Sequence, residues 1–97
     1  MKPFVLGLVA ALGFSSTASA DCLDVATRAI EQKGFAVQKA PRLDEVWGAQ
    51  GVTGYRAWFR VARYERGHIV VNMRTNCSIT HIWGDVPETQ QALRDHD

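Results

Sequence analysis

Cysteine is scarce in this chain, with only Cys22 and Cys77, and two cysteines allow a single intramolecular pairing. Runs of like charge are missing as well. No stretch of five or more exists, which excludes a nucleic-acid tail of the usual kind. Internal repeats and low-complexity segments are absent. Nothing resembles a nucleophile elbow, a Gly-rich phosphate loop or a Cys–His pair. Ser78 and Thr80 lie near His81 without such a frame, and Asp44-Glu45, the one adjacent acidic pair, reads as solvated. An enzyme is not expected. His68, His81 and His96 lack the close spacing of a metal-binding helix motif. The longest apolar run, Pro3 to Phe14, is too short and too Gly-interrupted to anchor in a bilayer.

That run has another reading. Lys2 supplies a positive end, Pro3 to Phe14 an apolar stretch, and Ala18-Ser19-Ala20 a small-x-small cleavage site. Residues 1–20 read as a secretory signal peptide, and the mature chain starts at Asp21. It is expected in the periplasm or outside the cell, without a membrane anchor, where disulfides persist. Lys2 is the one charge in the leader, so acids and bases cancel in the mature part. The distribution is uneven: Arg56, Arg60, Arg63, Arg66 and Arg74 face only Glu65 between Gly54 and Arg74.

From Asp21 onward the chain is long enough for one small domain, a size at which a covalent staple is expected. Joining Cys22 to Cys77 closes a loop worth roughly 4 kcal/mol on the chain-entropy model. A tied cystine offers no thiolate for redox or metal chemistry.

From Cys22 to Lys33, Cys22, Ala26, Ala29 and Ile30 share one face at helical spacing, flanked by Leu23 and Val25. Asp21 is placed to cap this helix and Gly34 to end it. Phe35 to Ala40 suggests a strand stopped by Pro41. In Arg42–Thr53, Leu43, Val46 and Trp47 want burial among turn-forming glycines, which fits a short strand near Val46 or a loop. From Gly54 the alternation is clear. Tyr55, Ala57, Phe59 and Val61 take one face, while Arg56, Trp58, Arg60 and Ala62 take the other. Tyr64 to Gly67 reads as a hairpin link in which Gly67 can adopt a positive φ. His68–Met73 forms the next strand, Arg74 to Asn76 a turn, and Cys77–Trp83 a third strand.

The expected fold is α+β, one N-terminal helix packed on a small antiparallel three- to four-stranded sheet, stapled by one disulfide. Residues 21–86 form the domain, and 87–97 a short C-terminal helix, capped at Asp85, or a frayed tail. Phe59, Val71 and Ile30 are expected at the centre of the core, with Val61, Ile69 and Ile79 around them.

The order helix, Gly-aromatic, strand, hairpin, strand, turn, strand resembles the PepSY-type modules of secreted bacterial proteins. Gly34-Phe35 stands where they end a short helix, and Gly54-Tyr55-Arg56-Ala57-Trp58-Phe59 is similar to their aromatic-led strand. Val70-Val71-Asn72 and Thr75-Asn76 stand where their Val-x-Val-Asp and Thr-Gly turn occur, with Asn72 replacing the acid and Asn76 the glycine. The likeness spans about Cys22 to Trp83. It implies a small binding module of the kind found in propeptides and proposed to restrain peptidases, with no catalytic residues. No cofactor is expected.

Two functional expectations arise. The first is a module binding a protein or peptide with acidic groups through Arg56, Trp58, Arg60, Tyr64 and Arg74, since Trp and Arg dominate interface hot spots. The same residues also suit a solvated face. The second is a small-ligand or metal-binding protein using His68 and His81 as cross-strand neighbours.

Overall fold

The computed structural model describes residues 20–96. The expected leader, apart from Ala20, lies outside them, as does Asp97. Helix α1 is already formed at residue 20 and runs to residue 32. Asp21 therefore sits inside the helix and does not cap it. Cys22, Ala26 and Ile30, four apart, are fully buried, while Val25 is exposed at 39%. The helix stops as its sequence proposes. Gly34 takes φ +100° and donates to the Glu31 carbonyl, while the Phe35 amide donates to the Ile30 carbonyl. These two bonds satisfy carbonyls that the helix end would leave orphaned. Phe35, just beyond, turns back into the core beside Ile30.

Four strands come next: β1 (Val37–Gly48), β2 (Gly51–Val61), β3 (Ile69–Arg74) and β4 (Ile79–Gly84). They pair as an antiparallel meander in the order β1-β2-β3-β4. Helix α2 (Pro87–Asp95) completes the chain. The α+β class is as the sequence suggests. Ala57, Phe59 and Val61 of β2 and Ile69, Val71 and Met73 of β3 point to α1 and are buried. Burying such aliphatic and aromatic side chains contributes about 1.5–3 kcal/mol each. Leu43, Tyr55, Ile79 and Ile82 pack around their margin. Cys22 and Cys77 form the expected cystine, 55 positions apart in sequence with Cα atoms 4.7 Å apart. It fits a chain that folds in an oxidising environment.

Several local expectations change. Pro41 does not stop the first strand. Between the pairs Gln38–Arg60 and Arg42–Trp58, β1 carries three residues against one in β2. The surplus is absorbed as a bulge, with Lys39 at φ +54°. An edge strand can host proline at such a bulge because no ladder bond is required of it. Trp47, expected to be buried, is 67% exposed near the far end of the β1–β2 hairpin. β3 pairs with β2 only as far as Gly54, so among the described residues no third strand flanks that end.

Gly67 has no positive φ; Arg63, at φ +78°, takes that conformation in the link. Gly67 is needed for another reason, since a Cβ there would run into Val86 Cγ2 and Asp85 Oδ1. Cys77, at φ +70°, remains in the turn, so β4 starts at Ile79. Finally, the residue that caps α2 is Val86, not Asp85. The Thr89 hydroxyl accepts from the Val86 amide at 3.3 Å, which frees the Asp85 carboxylate for His68. Ala92 of α2 enters the core, and His96 stacks on Phe35 with ring centroids 4.2 Å apart.

Candidate functional site

The strand register decides what shares the sheet face opposite α1. Side chains alternate along each strand, so the residues paired with Trp58 and Arg56 lie beside them on that face. One row across the sheet reads Arg42, Trp58, Val70, Trp83, and the next reads Asp44, Arg56, Asn72, His81. Arg60 lies beyond the first row and Arg74 beyond the second. Four of the five residues proposed from sequence, Arg56, Trp58, Arg60 and Arg74, are thus brought onto one face.

Tyr64 is not among them. β2 ends at Val61, and the turn through Arg63 carries Tyr64 round to Phe35 and His96. Its ring meets theirs edge-on at 6.2 and 6.4 Å. Strand alternation does not extend through a turn, which is why the sequence reading misplaced it.

This face is built differently from a plain solvated surface. Val70, in the middle of it, is fully buried. Trp58 and Trp83 flank it in the register, and their rings meet edge-to-face at 6.1 Å. Both indoles are tied down. Trp58 Nε1 donates to Asp44 Oδ2 at 2.9 Å, and Trp83 Nε1 donates to Asn72 Oδ1 at 3.0 Å. The Arg42 guanidinium lies 4.9 Å from the Trp58 ring centre and pairs with Asp44 at 3.4 Å. A cation over an indole at an exposed site contributes about 0.5–1 kcal/mol, and the exposed ion pair adds little. Their effect is to hold Trp58 in one orientation. Arg56, half-buried in the second row, has a buried Nε that meets no hydrogen-bond partner among the described residues.

The histidines are kept apart. His81 stands opposite Asn72, whereas His68 precedes the last β3–β4 pair, Ile69–Gly84. They are not cross-strand neighbours, so the two-imidazole site does not form. His68 pairs instead with Asp85. Asp85 Oδ1 accepts from the His68 amide at 2.6 Å, and Oδ2 lies 3.1 Å from His68 Nδ1. An ionised carboxylate only accepts, so Nδ1 carries the ring proton and Nε2 is left for solvent or a ligand. The His68 ring then stands edge-on to Trp58 at 5.7 Å. Among the described residues no three His, Cys, Asp or Glu side chains come together as a metal site. No helix among them is long and apolar enough to cross a membrane.

Sequence reasoning missed Arg42 and Trp83 as members of the face, since both depend on bulges that carry no signature. Alternation along β3 puts Val70 on this face beside His68 and Asn72, and only its full burial is absent from the sequence pattern. No family model matches the chain, and no curated protein or solved structure matches it either.

Proposed function

We propose that the chain is exported through the leader Met1–Ala20 and acts as a small binding module in the periplasm or outside the cell. Its outer sheet face engages a protein or peptide that carries acidic groups around an apolar patch. The observation that supports this most is the fully buried Val70 between two oriented tryptophans. A solvated face has no need of a second, rigid apolar cluster, whereas a contact surface of fixed aromatics costs little ordering entropy on binding. The arginines around it favour an acidic partner. The resemblance to PepSY-type modules supports the same class of role, binding without catalysis, and extends it to the restraint of a peptidase.

The test is capture from periplasmic extract with wild type, Trp58→Ala, Trp83→Ala and Arg60→Glu as baits, each first checked for a native circular dichroism spectrum. The tryptophan variants are expected to lose the partner. Arg60→Glu is expected to weaken capture most at low salt, because rim charges are screened as salt rises. Identical capture by all four baits overturns the reading.

A further inference from the structure

The bulge in β1 has a counterpart on the outer face. Where Lys39, Ala40 and Pro41 swing out of register opposite Phe59, a recess of about 280 Å³ opens, lined by Gln38, Lys39, Arg42, Trp58, Arg60 and His68. Its chemistry is one-sided. Lys39, Arg42 and Arg60 contribute three cations. The carboxylates beside it are already engaged, Asp44 by Trp58 and Arg42 and Asp85 by His68. Glu65 accepts from Gln38 at 3.4 Å. Among the described residues neither Lys39 nor Arg60 has an ion-pair partner. Trp58, held by its bond to Asp44, supplies a flat apolar wall, and His68, fixed by Asp85, stands edge-on to it. Lys39 sits at φ +54°, a conformation unfavourable for a residue with a Cβ, and such strain gathers at ligand clamps.

We infer that this recess binds a carboxylate carried next to an apolar or aromatic group, with Lys39 and Arg60 taking the charge and Trp58 the apolar part. The inference rests on the reading of this face as a binding surface and narrows it to one pocket and one chemical group. The carboxylate has two sources, the C-terminus of a peptide or an acidic side chain.

Titration of the protein, expressed from its full-length chain, with three probes separates them. N-acetylphenylalanine carries a terminal carboxylate, N-acetylglutamyl-phenylalanine amide a side-chain carboxylate beside an aromatic ring, and N-acetylphenylalanine amide none. The readout is the Trp58 indole N–H resonance, assigned by its loss in Trp58→Phe. At least one carboxylate is expected to bind about tenfold more tightly than the amide, the scale of a charge-assisted hydrogen bond. Lys39→Gln and Arg60→Gln are expected to weaken it, and Arg28→Gln, at an exposed arginine of α1 away from this face, to leave it unchanged. Equal binding of amide and carboxylates overturns the inference, as does equal loss in Arg28→Gln and Arg60→Gln. If no carboxylate binds while Trp83→Ala still loses the partner, the recess is wrong and the binding face stands. If a carboxylate binds and no face variant alters partner capture, the recess stands and the protein-binding face falls.

Discussion

Trp58 and Phe59 are chain neighbours that point in opposite directions, and the difference between them is the whole two-sidedness of the sheet. Phe59 is fully buried among Ile30, Val61, Ile69 and Val71. Truncating it leaves a cavity that packed neighbours cannot fill, so Phe59→Ala is expected to cost roughly 3–5 kcal/mol. Trp58 is half-buried and roofs Val70 from the solvent side. Its removal uncovers one valine and frees the Asp44 carboxylate to water, which solvates it at no loss. Trp58→Ala is therefore expected to lose less than half of what Phe59→Ala loses, measured as the shift in urea midpoint at constant slope. Equal losses would mean that the outer cluster is a second core and not a surface. This alternation was legible in the sequence because β2 pairs with β3 from Gly54 to Phe59 without a break in register.

At the scale of elements, the bulges mark where legibility ended. In β4, strict alternation from Ile79 would send Trp83 inward with it. An extra residue, Thr80, lies between the pairs Met73–Ile79 and Asn72–His81, and it flips the rest of the strand. Ile82 therefore joins the core, and Trp83 joins the outer face. A one-residue slip exchanges faces along a whole strand, and no residue type announces it. The same holds for β1, where Pro41 suggested an ending. Proline is a barrier only where a ladder bond is required, and edge position is a property of the sheet that the local sequence does not contain. The C-terminal end of α1 fared better. Gly34 and the four-residue spacing of Cys22, Ala26 and Ile30 are local signals read by local physics.

The β1 bulge also separates stability from binding at one residue. Asparagine tolerates the left-handed conformation better than lysine. Lys39→Asn is expected to hold or raise the melting temperature, since relieving such a residue is worth about 1 kcal/mol. In the same variant carboxylate binding should fall. A lower melting temperature would show that the lysine stem packs on the fold and that its strained backbone serves structure.

For the whole molecule, the decisive feature is the covalent tie between α1 and the β3–β4 turn. Helix α1 is held to the sheet by a narrow stripe of Cys22, Ala26 and Ile30, with alanine, the smallest of these, in its middle. A stripe of that size is a weak anchor for a helix, and Cys22 lies one residue past the expected cleavage point. After cleavage, the new terminus would begin at Asp21 and fray from its end unless something pinned it. The bond from Cys22 to Cys77 does so, in the turn that connects β3 to β4. It also removes freedom from the unfolded chain across most of the domain, an effect worth roughly 4 kcal/mol for a loop of that length. The proposed export and this fold are linked through the bond, because disulfides persist in an oxidising compartment. The exported protein should therefore begin at Asp21 by intact mass and show no free thiol when denatured without reductant. Replacing both cysteines by alanine should cost roughly 2–5 kcal/mol, with α1 losing amide protection from hydrogen exchange before the β2–β3 core does. Two free thiols on the exported chain, or a double variant as stable as wild type, would mean that α1 is held by packing alone. The link between compartment and fold would then be lost.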